Sequence, residues 1–163
     1  RVPAENLIGE PGQGLTYIKQ HLPQARLAIA AASAVISRTT LNATLEYVKE
    51  RKVFGSRVAD FQNTRFELAN ALMNTELSEL YVARSIAAFN AGELTAEDAA
   101  KAKVFASEKA CTITDRCLQL FGGYGYINEH PVAQAFLAAR LLPIFGGTNE
   151  LLRDNIGFDL LAE

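Results

Sequence analysis

The sequence predicts an all-α fold, an antiparallel four-helix-bundle-like domain, on three observations. The 163 residues include 26 alanines but only 11 glycines and 5 prolines, a balance that favours helix over sheet. Apolar residues recur at a helical period over three long stretches separated by short turn-forming segments. No stretch alternates apolar with polar as a half-buried strand does, and there are no internal repeats. With 49% hydrophobic and 21% charged residues, the chain has a globular composition and is long enough for one core. The alternative arrangement of the same elements is an irregular all-α domain.

The elements follow in order. Residues 1–14 are rich in Pro, Gly and Asn and are expected to be a connector. A short helix over about Leu15–Gln20 is expected next. Pro23 suits the first turn of a long helix, where its missing N–H costs nothing. That helix is kept in period by Leu27, Ala30, Ala31, Ala34, Leu41, Leu45 and Val48 to about Lys52. Lys49, Arg51 and Lys52 fall in its expected last turn, and Gly55 is the expected stop. A second helix is expected from about Phe61 to Ala91, stopped by Gly92, with Phe66, Leu68, Leu72, Leu77, Leu80 and Ile86 as its buried stripe. Thr95 is the expected N-cap of the third, with Glu97 and Asp98 in the first turn. Its core face is Ala99, Ala102, Val104, Ala106, Ile113, Cys117 and Leu120, and Gly122-Gly123 ends it. After a loop from Tyr124 to His130, Pro131 starts a short helix to about Leu142, and a last helix follows Thr148 or Asn149. The bundle domain is therefore expected over residues 15–163. The first residue is Arg1 rather than Met, so the expectation is that residues precede it.

Charge and composition narrow the function. A formal net charge of −2, from 16 basic and 18 acidic residues, argues against a nucleic-acid surface or a polybasic membrane patch. No uncharged apolar run approaches the ~18 residues of a span, so no membrane insertion is expected. Cys111 and Cys117 lie six apart on one expected helix, on different sides and too far apart for a disulfide, so they are expected as packed thiols in a reducing compartment. His21 and His130 lie in no metal-ligand spacing, so no metal site is expected.

Four local motifs could carry chemistry. In Glu50-Arg51-Lys52-Val53-Phe54-Gly55, followed by Asp60-Phe61-Gln62, the plain explanation is a charged helix end. The functional one is a cationic Arg51 meeting an anionic ligand, with Gln62 for polar contacts. Gln119-Leu120-Phe121-Gly122-Gly123-Tyr124-Gly125-Tyr126 carries more glycine than a helix stop needs, and glycine lets a backbone approach a flat ligand. No strand precedes it, so it is not a dinucleotide-binding strand–helix loop. Ile144-Phe145-Gly146-Gly147-Thr148-Asn149-Glu150-Leu151 leads glycines into a helix N-terminus, where free N–H groups suit an anion or an electron-rich ring edge. Capping by Thr148 is its plain explanation. Leu22-Pro23-Gln24-Ala25-Arg26-Leu27 puts Arg26 on a mostly apolar face, which a snorkelling side chain explains equally well.

In this order and spacing the four motifs, with the opening Arg1-Val2-Pro3-Ala4-Glu5-Asn6-Leu7-Ile8-Gly9, resemble the C-terminal helical domain of the acyl-CoA dehydrogenase family over essentially the whole chain. The combination is specific although each motif alone is weak. The resemblance implies that residues 1–14 leave a β-domain and that the chain is roughly the last two-fifths of a subunit. It implies FAD as cofactor and an acyl-CoA thioester as substrate, oxidised to a trans-2-enoyl-CoA, with electrons passing to an electron-transfer flavoprotein. Arg51, Phe54 and Gln62 match family contacts to FAD across a subunit interface. Gln119, Gly122 and Gly123 match contacts to its adenine-nucleotide half, and Thr148 and Glu150 match cofactor contacts after the glycine pair. Arg26 matches an arginine beside the substrate. The implied assembly is a dimer or a dimer of dimers, and the implied compartment is a bacterial cytoplasm or a mitochondrial matrix.

The departures from the family pattern bear on catalysis. Most members carry the catalytic glutamate where this chain has Gly146. Those of the long-chain and isovaleryl-type layout, which this chain resembles, carry it where this chain has Ala25. Neither side chain accepts a proton. Glu129 and Glu150 match non-catalytic positions and are not favoured as substitutes. An Arg-Asp-Ala-Arg segment has become Leu137-Ala138-Ala139-Arg140, losing a charge pair. Three readings follow: a dehydrogenase whose base is replaced, a non-catalytic homologue or partner subunit of a base-carrying chain, and a helical interaction module without cofactor, which requires all four motifs to be coincidence.

Overall fold

The computed structural model describes residues 1–162; Glu163, the last residue of the expected bundle domain, lies outside the described residues. Five helices carry the fold: α1 (Gly14–Glu50), α2 (Gln62–Asn90), α3 (Ala96–Phe121), α4 (Pro131–Leu141) and α5 (Asn149–Ala162). The all-α expectation holds, with one small addition. A hairpin of two-residue strands, β1 (Lys52–Val53) and β2 (Ser56–Arg57), interrupts the α1–α2 connection.

Buried contacts give the direction of each helix. One cluster joins Leu41 of α1, Ala71 of α2, Ile113, Cys117 and Phe121 of α3, and Val132 of α4. A second joins Ala30 and Ala34 to Val82, Ala102 and Ala106. Residue numbers rise together in α1 and α3 and fall in α2, so α2 runs antiparallel to both. A third cluster pairs Ala139 and Leu142 with Ala110 and Ile29, so α4 also runs against α3. The four helices form an up-down-up-down bundle. Helix α3 packs on every other helix, and α5 lies on its first half through Leu152 against Ala100 and Val104.

Small side chains set the packing. On α2 the inward positions Thr64, Leu68, Ala71, Thr75, Ser78, Val82 and Ser85 are spaced alternately four and three apart, as two-helix contact requires. The hydroxyls of Thr75, Ser78 and Ser85 each donate to the carbonyl four residues back, so polar atoms are satisfied inside the core. The same device serves Ser33, Ser37 and Thr44 on α1.

The structure corrects four expectations. The stripe expected on α2 is wrong apart from half-buried Leu68: Phe66, Leu72, Leu77, Leu80 and Ile86 are exposed in this chain. Close approach of three helices favours small residues inside, so residue size overrides hydrophobicity here. There is no separate helix over 15–20, because α1 continues through Pro23. The proline deletes one bond to the Lys19 carbonyl, which lies at an exposed position open to water. Gly55 does not cap α1, which ends at Glu50. It forms the hairpin turn with Phe54, at φ +80 and +50. The segment after α3 opens as a 3₁₀ turn, Gly122–Tyr126, rather than an irregular loop. Other termini follow expectation: the Thr95 side chain accepts from the Asp98 N–H at 3.0 Å, and Pro131 opens α4. Both cysteines are free thiols. No helix among the described residues is long and apolar enough to cross a membrane.

Candidate functional site

The expected site residues fall into two groups, one at each end of the bundle. At the first end, α1 stops because Arg51 turns extended (φ −66, ψ 125) while its N–H still closes the last turn on the Tyr47 carbonyl. The hairpin that follows has positive φ at both turn residues, the twist that matches paired strands. At its tip Phe54 is fully exposed, a left-handed aromatic side chain with no contact to cover it. Asp60 accepts from the Arg57 N–H at 3.0 Å and from its guanidinium at 2.9 Å, which fixes the hairpin against the start of α2 at Gln62.

Opposite Arg51, α3 ends at Phe121 and Gly122 turns left-handed at φ +59. The Tyr47 ring stacks on Phe121 at 4.1 Å, and its hydroxyl donates to the Phe121 carbonyl at 3.2 Å. That pair forms the floor of an open cleft of about 670 Å³ walled by Arg51, Gln119, Gly122, Gly123 and Tyr124. A Cβ added at Gly122 or Gly123 would meet nothing within 4 Å, so the backbone there faces open space. The Arg51 guanidinium lies 5.5 Å from the centroid of the Tyr124 ring. Among the described residues Arg51 has no carboxylate partner. A cation without a counter-ion, a side-chain amide and glycine-lined space suit an anionic ligand with a flat ring. Phe54 and Gln62 do not line this cleft; they stand exposed beside it.

At the second end, the glycine loop between α4 and α5 meets α1 and α3. Gly146 and Gly147 are both left-handed, at φ +69 and +94. The Arg26 Nε donates to the Gly146 carbonyl at 3.4 Å. A Cβ at Gly146 would meet Ile29 Cδ1 of α1, so the end of that side chain lies against the loop. Ile29 is one turn beyond Ala25, so the two expected base positions share one face of the site. Ala25 is exposed and has room for a longer side chain. Burial lowers the Arg26 pKa below its ordinary value. Thr148 and Glu150 are exposed on the first turn of α5, where the Leu151 N–H reaches the Thr148 hydroxyl at 3.4 Å.

The two ends do not meet within one chain. Lys103 marks the second end and Phe121 the first, eighteen residues apart on α3 or about 27 Å at ~1.5 Å per residue. Sequence reasoning missed the residues that hold each end in shape: Tyr47 and Tyr124 at the first, Lys103, Ser107 and Asn149 at the second. Lys103 had a usable signal, since it occupies a core register of alanine-rich α3 between Ala99 and Ala106. Burial depresses its ammonium pKa, and nearby Arg26 adds to that.

A family model for the acyl-CoA dehydrogenase C-terminal domain matches residues 12–161. The mitochondrial long-chain specific acyl-CoA dehydrogenase of Rattus norvegicus is 36% identical over 163 residues, 100% of this chain and 38% of that protein. Butyryl-CoA dehydrogenase from Megasphaera elsdenii matches with a TM-score of 0.91 at 37% identity, over 98% of this chain and 42% of that one. An acyl-CoA dehydrogenase from Bacillus anthracis complexed with FAD matches with a TM-score of 0.92 at 26% identity, over 99% of this chain and 31% of that one. The chain thus spans about two fifths of the length of the curated relatives it matches.

Proposed function

Because the chain belongs to the acyl-CoA dehydrogenase family, we propose that it is the C-terminal FAD- and acyl-CoA-binding domain of a protein that dehydrogenates an acyl-CoA to its trans-2-enoyl-CoA. Residues 1–14 are then the connector from a preceding β-domain, and residues 15–163 the bundle domain. The observation that carries this is the cleft in which unpartnered Arg51 faces the open backbone of Gly122 and Gly123. Its donors fit FAD: the guanidinium suits the diphosphate, the glycines leave space for a ring, and Gln119 offers an amide. The chemistry supplied by bound FAD is acceptance of the substrate β-hydrogen as hydride.

On this reading Arg51, Phe54, Gln62, Gln119, Gly122 and Gly123 hold the adenine-nucleotide half of one cofactor. Thr148 and Glu150, at the other end of the bundle, contact a different cofactor molecule. Arg26 stands beside the thioester. Two copies completing each other's cofactor sites account for the separation, which supports a homodimer or a dimer of dimers. Electrons pass on to an electron-transfer flavoprotein, in a bacterial cytoplasm or a mitochondrial matrix.

One observation favours a second reading. Neither Ala25 nor Gly146 supplies a carboxylate, and Gly146 is left-handed at φ +69, where a side chain is strained. The protein is then a homologue or partner subunit that keeps the flavin without abstracting the α-proton. Anaerobic titration of the full-length protein with acyl-CoAs of graded length separates the two. Bleaching of the flavin by one length establishes dehydrogenation, a yellow protein that no thioester bleaches establishes the second reading, and a colourless protein overturns both.

A further inference from the structure

The glycine loop is held by a buried cation that the proposed chemistry does not use. Lys103 is fully buried in the alanine-rich first half of α3. Its ammonium donates to the Gly147 carbonyl at 2.9 Å and to Asn149 Oδ1 at 2.7 Å. Asn149 is itself buried, and its amide donates to Ser107 Oγ at 3.0 Å and to Glu108 Oε1 at 3.2 Å. Its N–H donates to the Pro143 carbonyl at 2.9 Å, closing the loop. No carboxylate lies in ion-pair contact with Lys103 among the described residues. Burying an ammonium costs several kcal/mol unless its donors are satisfied. Here the oxygens that satisfy it both belong to the loop. Thr148 and Glu150, the exposed neighbours of Asn149, project outward because Asn149 is held inward.

We infer that Lys103 is a positioning residue which, through Asn149 and Gly147, sets where Thr148 and Glu150 stand against the flavin. The inference rests on the FAD reading above. An apolar side chain would fill the Lys103 core position at lower electrostatic cost but would release both loop oxygens at once. The loop would then lose its attachment to α3 while the bundle core stayed packed.

The test uses the full-length flavoprotein with Lys103→Met, which keeps the side-chain length and removes the donors, and Lys103→Gln, which keeps a donor without the charge. Amide exchange is followed at Asn149 and Leu152 and, as the measure of the fold, at Ile113 in the middle of α3. FAD affinity is measured alongside. Loss of a charge-assisted pair predicts that Lys103→Met speeds loop exchange and weakens FAD about tenfold each, with exchange at Ile113 unchanged and Lys103→Gln intermediate. Loop and core amides accelerating by the same factor, in both variants, would reduce Lys103 to a packing residue and overturn the inference. So would a variant that binds FAD as the parent does. A parent protein that takes up no flavin overturns the FAD reading itself, and the inference with it.

Discussion

At the residue scale, the two empty base positions are not equivalent. Ala25 is exposed on regular helix, and a glutamate there needs only ordinary rotamers. Gly146 sits at φ +69, so a glutamate there strains the backbone, while the end of the Ile29 side chain, whose Cδ1 stands where a Cβ would go, has only to turn aside. We therefore expect Ala25→Glu to raise the rate of flavin bleaching by acyl-CoA by about 10²–10⁴-fold, the usual worth of a positioned base. Gly146→Glu should give a smaller gain, because the left-handed backbone there strains any side chain. Stopped-flow bleaching of both variants checks the order; an equal gain from Gly146→Glu would contradict the strain at Gly146. At the other end Arg51 is the one cation lining the cleft, so Arg51→Gln should weaken FAD binding by about tenfold or more, read by flavin release on dilution.

At the element scale, two helices are tied by an ion pair that gives stability a pH dependence. Arg38 on α1 donates to Glu79 on α2 through Nε at 2.7 Å and Nη2 at 2.5 Å. The Arg38 hydrogen bonds, more than its charge at a distance, hold the Glu79 carboxyl below its ordinary pKa. A carboxylate depressed in the folded state contributes stability above its unfolded pKa of about 4.3 and loses it as pH falls through the folded value. Both side chains are about a third exposed, so the worth stays under ~1 kcal/mol. Glu79→Gln should lower the thermal midpoint near neutral pH and converge with the parent once pH has fallen through the depressed folded value of Glu79; parallel curves would remove the pair from the stability of the bundle.

The helices also show which signals the sequence carried. Leu27, Ala30, Ala34, Leu41 and Val48 were legible on α1 because apolar identity and burial coincide there. On α2 they do not: Thr75, Ser78 and Ser85 are buried while Leu77 and Leu80 are exposed, and only a count of small residues at four–three spacing would have revealed it. Pro23 and Gly55 misled for a related reason. Both carry strong local preferences, and tertiary position chose between the outcomes each residue permits. The motif residues at both ends were visible as glycines and charges in turns. Asn149 and Tyr47 were not, because their roles depend on contacts more than forty residues away in sequence, and Lys103 carried only its core register without its partners.

At the scale of the whole molecule, α2 presents an apolar stripe that nothing among the described residues covers. Phe66, Met73, Leu77 and Leu80 are spaced seven, four and three apart on the face opposite the small-residue seam, and Leu80 is 68% exposed. Four large apolar side chains on one helix face exceed the scattered exposure normal for a monomer surface. On the proposed FAD reading, the two half-sites at opposite ends of the bundle also call for a second copy. An assembly of two or four copies satisfies both demands if the α2 stripe is buried between subunits. Two acidic substitutions on that stripe, Leu77→Glu with Leu80→Glu, should therefore shift the full-length protein to a smaller species in analytical ultracentrifugation, while helix content by circular dichroism is retained. Loss of flavin together with the loss of mass would tie the shared cofactor site to this contact. An unchanged mass would assign the stripe instead to cover by the subunit's own remaining residues, leaving the pairing of half-sites to another face.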